Sequence, residues 1–383
     1  MNLCILTDKY PPDVGGLAVS TRRLAQGLAK ASHAVCVSLS SASVAPGTVN
    51  SSADDKVTVY RIGAYRRTDD TAADWFDHAA ALHAQHRFDL IHAMYVAQPA
   101  FVAVSAARYL GLPSVISARG NDLDRSAFDP GKFSQILWSL QNANAVTVVT
   151  TELARKARAL APGCNPYFIP NSVDTALFAP GPRDEALAAS LGLSDAPVIA
   201  FVGEARQKKG LTILLPAFAR LCAQVCTQSD DRPTLLLVGG VRKDDEPILD
   251  VFRRQNPSLD VRVTPNVAHE KLPAYNRLAD VLVMPSLRDG LPNSLLEGMA
   301  CERAVVASNV GGMPDVVRDG ENGILVPPGD VNALADALLS LLADSPRRAE
   351  LGRAARTTVE SEFTPERELQ RNLEIYRNVM RDA

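Results

Sequence analysis

Asp289 and Glu297 are the two residues of this chain whose type and spacing point most directly to chemistry. They fall in the stretch 281–300, VLVMPSLRDGLPNSLLEGMA, with seven residues between them. Residues 281–284 are a short apolar, β-branched run that reads as a buried strand. Pro285 ends it, and 286–292 carries the Gly and Pro of an exposed loop. Asn293 or Ser294 then caps a helix running to 300. Beyond the carboxyl end of a parallel strand, both carboxylates would face the crevice where open α/β sheets bind ligands. A carboxylate accepts two O–H donors at once, which suits a ribose diol or a sugar ring. The same residues also fit a local role. Ser294-x-x-Glu297 has the form of a capping box, and Asp289 precedes Gly290 as turn residues do.

A second cluster is cationic. GEARQKKG, residues 203–210, follows an apolar run and leads into a helix at Leu211, so Arg206, Lys208 and Lys209 converge before a helix N-terminus. Cationic side chains, flexible glycines such as Gly203 and a dipole of the right sign suit a diphosphate; a solvated basic turn is the plainer alternative. In the first half, DKYPPDVGG (8–16) joins a strand to a helix and could bring backbone N–H groups near an anion, or simply turn the chain. RGND, Arg119 to Asp122, sits at the carboxyl end of another strand and points into its crevice, unless it is ordinary loop chemistry. Gly311-Gly312-Met313-Pro314-Asp315 reads as one more glycine-rich loop before a helix on the ligand edge.

The elements that must position these residues alternate. Strands are expected at 2–7, 34–39, 57–61, 90–94, 114–118, 145–150 and 166–170, with a Ser/Ala-rich loop from 40 to about 55. Helical patterns lie between several of them, as at 17–31. The pattern repeats at 198–203, 234–239, 260–264, 281–284, 304–307 and 323–326, and argues for parallel α/β sheets. The chain is then helical almost to 383, with Phe363, Leu369, Leu373, Ile375 and Tyr376 as an apolar stripe that must pack somewhere. With 383 residues, two domains are expected. These are 1–175 together with 364–383, then 197–363, joined by an Ala/Pro/Gly-rich linker at 176–196.

Composition narrows the function classes. Hydrophobic content of 46% with 22% charged residues is that of a soluble globular protein. A net charge of -3 gives no support for nucleic-acid binding or a strongly basic membrane coat. Arg66 and Arg67 beside Tyr65 read as solvated charges, with a lipid-surface contact through the first domain as the alternative. The cysteines Cys4, Cys36, Cys164, Cys222, Cys226 and Cys301 are scattered. Only Cys222 and Cys226 are close, and no His stands near them, so buried thiols in a reducing compartment are expected and no zinc site. MNLCILT does not read as a signal peptide and no run is apolar enough to span a membrane, so a cytoplasmic location is expected.

Taken in order, YPPDVGG, RGND, IPNSVD, FVGEARQKKG, VMPSLRDGLPNSLLEGMA, VGGMPDVV and DGENGILVPPGD resemble the motifs of the retaining glycosyltransferases of family 4. The resemblance covers nearly the whole chain. It implies the GT-B architecture: two Rossmann-like α/β domains facing across a cleft, the final helix crossing back onto the first. It assigns the nucleotide-sugar donor to the second domain and a hydroxyl acceptor mainly to the first. Carried over by position, Glu297 would bond the ribose hydroxyls and Asp289 the transferred sugar. Lys209 and Arg206 would neutralise the diphosphate, and Gly16 would let the first domain's backbone approach it. Gly203, Gly290 and the backbone of Leu291, Pro292, Asn293 and Ser294 would lie against the donor. Arg119 and Asp122 would line the reaction centre from the acceptor side. No cofactor is implied, the nucleotide sugar being a substrate, and with no carboxylate-rich cluster in the sequence a metal-independent transfer is expected.

Three positions depart from the family pattern. Asp289 replaces a usual Glu and bears on sugar preference. Glu204 stands where Arg is frequent, so a second cation must come from Arg206 or elsewhere. Arg119 stands where many members have His, and a fixed cation there could stabilise the leaving phosphate or bind an acidic acceptor. A UDP-sugar is favoured over a GDP-sugar on family frequency, with a glycan, glycolipid or small-molecule glycoside as acceptor. The competing classes are a sugar-nucleotide epimerase, which would need no acceptor, and a non-catalytic two-lobed sugar-binding protein, which is normally exported. A dehydrogenase would carry an intact dinucleotide fingerprint, which this sequence lacks.

Overall fold

The computed structural model describes residues 1–225 and 232–382, and Cys226 lies outside them. The chain divides into two compact units, Met1–Asn171 with Pro365–Ala383, and Ser172–Thr364.

The first unit is built on strands β1 (Asn2–Leu6), β2 (Ala34–Ser41), β3 (Val49–Asp54), β4 (Val57–Gly63), β5 (Leu90–Ala93), β6 (Ser114–Ala118), β7 (Ala145–Val148) and β8 (Tyr167–Phe168). They form one sheet in the order β3-β4-β2-β1-β5-β6-β7-β8. Every pairing is parallel except β3 with β4. With β3 set aside, the order is 3-2-1-4-5-6-7. That is the doubly wound arrangement, with its switch point between β1 and β5. β3 lies in the stretch read as a loop. Asp55, at φ 56°, turns the chain so that Asp54 pairs with Val57. VNSSAD is almost wholly exposed, so it lacks the apolar signature by which strands are recognised.

Both faces of this sheet are covered, one largely by helices Thr68–His86 and Gln98–Leu110, the other by helix Gly16–Lys30 and the terminal helix Pro365–Arg381. The terminal helix returns to the first unit as expected and buries Leu373, Ile375, Tyr376 and Val379 there.

The second unit carries β9 (Val198–Val202), β10 (Thr234–Val238), β11 (Val261–Val263), β12 (Val281–Met284), β13 (Ala304–Ser308) and β14 (Ile324–Val326). Their order, β11-β10-β9-β12-β13-β14, is again 3-2-1-4-5-6 and wholly parallel. β9, β10, β12 and β13 are buried at every residue, which explains their continuous apolar sequences: helices cover both faces. Residues 176–196, read as a linker, pack as part of this unit. They include helix Glu185–Ser190, and Phe178, Ala188 and Leu193 enter the same core as Phe363. After Gly311-Gly312 the chain makes successive turns through Val317 rather than a helix, correcting the expectation for that loop.

Candidate functional site

The switch point of the second sheet lies between β9 and β12, and the loops that leave their carboxyl ends carry Lys209 and Asp289. Backbone contacts hold these loops together. Gly210 is at φ 81°, and a Cβ there would stand 1.9 Å from the Pro285 carbonyl oxygen. The Leu287 N–H donates to the Lys208 carbonyl at 3.0 Å. A third loop closes on the second: a Cβ at Gly311 would lie 1.9 Å from the Asp289 carbonyl oxygen, and the Gly312 N–H donates to Gly290 at 2.9 Å. Only glycine permits such approaches.

The result is a direct ion pair between Lys209 Nζ and Asp289 Oδ2. Asp289 also accepts from Ser286 Oγ at 3.3 Å and from the Gly290 N–H at 3.0 Å. Arg206 is beside them in sequence but faces Glu204, with 3.3 Å between Nη1 and Oε2, and its buried Nε has no hydrogen-bond partner among the described residues. Gly203 opens this loop at φ 136°.

Helix Asn293–Ala300 follows the Asp289 loop. Its cap is Pro292, in extended conformation, with no side-chain capping bond. That corrects the assignment of the cap to Asn293 or Ser294 and removes the capping box. Ser294 Oγ turns to Met284 Sδ at 3.8 Å, and Glu297 lies a full turn inside the helix. The Glu297 side chain is 5% exposed, and its Oε1 accepts from His269 Nε2 at 3.0 Å. Buried Asn293 Oδ1 has no partner among the described residues. Leu291 is buried in the core, so the loop can offer a ligand its backbone there, not that side chain. Gly298 packs this helix onto β12, since a Cβ there would meet Leu282 Cδ1 at 2.1 Å.

The first unit presents a different chemistry. Asp122, read as a reaction-centre residue, is wholly buried, and its carboxylate accepts from the N–H groups of Val96, Arg119, Gly120 and Leu123 at 2.8–3.1 Å. Burial raises its pKa against the pull of those amides. Its carboxylate thus holds the RGND loop in shape and is turned into the backbone rather than exposed. Arg119 donates from Nη2 to Asn171 Oδ1 at 2.6 Å. Burial draws its pKa down to about 10, opposed by the Glu368 carboxylate, so it remains a cation at neutral pH. Glu368 on the terminal helix is itself held by Arg23 at 2.8 Å.

Asp8, the first residue of the DKYPPDVGG loop, follows β1 at this sheet's switch point. Burial, then the charge of Asp122, push its pKa to about 6. Gly16 begins helix Gly16–Lys30, whose first turn lacks both an acidic side chain and a capping side chain; the left-handed backbone is at Gly15, φ 135°. Beneath this edge His92 hydrogen-bonds Tyr376 at 2.6 Å and Ser117 at 2.7 Å, tying the terminal helix to β5 and β6. Arg66 is exposed, and Arg67 pairs with Asp69 at 2.6 Å. Cys4, Cys36, Cys164, Cys222 and Cys301 are buried free thiols. Among the described residues no group of His, Cys, Asp and Glu side chains gathers as a metal cluster, and no helix is long and apolar enough to cross a membrane.

Two family models match, one on each unit: "Glycosyltransferase Family 4" over residues 14–177 and "Glycosyl transferases group 1" over 196–344. A D-inositol 3-phosphate glycosyltransferase of Kineococcus radiotolerans is 31% identical over 329 residues, 80% of this chain and 75% of that one. The chain belongs to glycosyltransferase family 4. Other relatives in Mycolicibacterium smegmatis match over a smaller share. An alpha-maltose-1-phosphate synthase is 33% identical over 63% of this chain and 65% of its own. A GDP-mannose-dependent phosphatidylinositol monomannoside mannosyltransferase is 34% identical over 56% of this chain and 57% of its own. Among solved structures, sucrose-phosphate synthase from Thermosynechococcus elongatus superposes with a TM-score of 0.81 at 24% identity, covering 100% of both chains. Anabaena HepE with UDP-glucose gives 0.77 at 19%, covering 98% of this chain and 99% of that one. The fold is that of the GT-B members of this family.

Proposed function

We propose that this family 4 protein transfers a sugar from a nucleoside-diphosphate sugar to a hydroxyl acceptor with retention at the anomeric carbon, without a bound metal, and that the donor is a UDP-sugar rather than a GDP-sugar. One observation carries the reading: the switch point of the second sheet joins Lys209 to Asp289 and is followed by a helix whose buried Glu297 needs polar partners. Breaking the bond to the diphosphate places negative charge on the departing phosphate and positive charge on the sugar ring. Lys209, paired with Asp289, can take up the former, and the N-terminus of helix Asn293–Ala300 follows the same Asp289 loop. Asp289, released from Lys209 as the phosphates arrive, can turn to the sugar hydroxyls. Unpartnered Asn293 Oδ1 and Arg206 Nε suit a polar ligand. On the acceptor side Asp8 can take a hydroxyl's hydrogen bond.

The donor is tested by melting shifts with UDP, GDP and ADP, since ligand binding stabilises by mass action. UDP is expected to give the largest shift, and a larger GDP shift would overturn the choice of base. Release of nucleoside diphosphate should depend on added acceptor; conversion of the nucleotide sugar without one would favour an epimerase. Glu297→Ala should weaken donor binding or turnover by about a hundredfold or more, through loss of up to two charge-assisted hydrogen bonds worth roughly 1.5–3 kcal/mol each. If Glu297→Ala lowers only thermal stability, Glu297 has no part in binding.

A further inference from the structure

We propose that His269 is a positioning residue for the donor: its imidazole N–H fixes the Glu297 carboxylate in the orientation that receives the ribose hydroxyls. The inference rests on reading Glu297 as the ribose contact. A carboxylate can only accept, so the 3.0 Å contact requires the hydrogen on His269 Nε2 and occupies one lone pair of Oε1. Oε2 is left without a protein partner among the described residues, as an acceptor for a diol.

A side chain with the freedom of Glu would otherwise lose rotamer entropy on binding, and the imidazole removes that loss beforehand. The imidazole is itself supported. It opens the short turn His269–Lys271 after β11, on the carboxyl edge that also bears the Lys209 and Asp289 loops. The Phe178 ring packs against it at 5.2 Å between centroids, tilted by 60°. Phe178 comes from the 172–196 segment, so that segment reaches the donor subsite indirectly. His269 belongs to none of the sequence motifs, and only the fold brings it to Glu297.

The test compares the affinity of the whole protein for UDP and for 2′,3′-dideoxy-UDP by calorimetry, in wild type, His269→Ala and His269→Phe. His269→Phe keeps a ring against Phe178 but supplies no N–H, so it separates packing from hydrogen bonding if His269→Ala folds poorly. Wild type should prefer the ribose form, and both variants should lose about tenfold to a hundredfold of that preference, the range for one hydrogen bond to a charged group. His269→Gln, which restores an N–H donor, should recover part of it. A variant that lacks the donor yet keeps the full wild-type preference overturns the role of His269. Equal binding of both nucleotides by the wild type would instead remove the reading of Glu297, and the inference with it.

Discussion

At the scale of residues, the site is a set of charges that satisfy one another until a ligand intervenes. Lys209 and Asp289 are paired, Arg206 faces Glu204, and Glu297 is held by His269. Each interaction has a different meaning. The Arg206–Glu204 pair involves a half-exposed Glu204, so it is worth at most about 1 kcal/mol and yields readily to phosphate. The Lys209–Asp289 pair is more enclosed, with 22% and 13% side-chain exposure, so breaking it costs more and a diphosphate must repay it with its own charge. Lys209→Met keeps the length of the side chain and removes the cation. It should lower kcat/KM for the donor by about a hundredfold or more, because the contact strengthens as charge develops on the leaving phosphate. Steady-state kinetics with saturating acceptor decides it. An unchanged kcat/KM would take Lys209 out of the transition state altogether.

At the scale of elements, glycines set the distance between loops. Gly210→Ala would combine a left-handed backbone with a Cβ driven into the Pro285 carbonyl, so the loop after β9 and the chain leaving β12 would have to move apart. A loss of about 2–4 kcal/mol in denaturant unfolding is expected, with a matching fall in donor affinity as the Lys209 and Asp289 loops separate. Gly111→Ala is the control. It has a similar φ of 68° but open space around the added carbon, so it should cost only about 1 kcal/mol. Equal losses for the two would mean that strain alone, not the approach of the loops, makes Gly210 necessary. Such contacts mark the limit of what the sequence discloses. Strands such as VIAFV and VLVM announce themselves because both of their faces are buried, and the polar loops after them are legible as a ligand edge. Asp289, Lys209 and Glu297 stand in those loops and the helix behind them and could be named from their motifs. Asp122 could not be judged: its spacing is the same whether its carboxylate points to solvent or, as here, into four backbone amides. The spacing of Ser294 and Glu297 equally fits a capping box, and only the backbone identifies Pro292 as the cap. β3 and His269 carry no pattern of their own, since an exposed edge strand has no apolar period and a lone His no spacing.

At the scale of the molecule, the same strand order occurs twice, and in each unit the candidate residues follow the carboxyl ends of central strands: Lys209 and Asp289 after β9 and β12, Asp8 and Arg119 after β1 and β6. The units are nonetheless unequal in how the chain builds them. The second is continuous from Ser172 to Thr364, whereas the first is completed only by Pro365–Ala383. The terminal helix gives the first unit Leu373, Ile375, Tyr376 and Val379 for its core, Tyr376 for His92 and Glu368 for Arg23. Burial of these four side chains at ~1.5–3 kcal/mol each approaches the whole stability of an ordinary domain, about 5–15 kcal/mol. Removing residues 365–383 should therefore unfold the first unit and leave the second, whose core and candidate donor residues lie wholly within it. The shortened protein should lose glycosyl transfer and gain a dye-binding molten transition at low temperature. Its response to nucleoside diphosphate in a second, higher melting step should persist, because Lys209, Asp289, Glu297 and His269 all remain. Loss of both transitions together would show that the second unit needs the first to fold, and retention of transfer would show that the terminal helix is dispensable to the first.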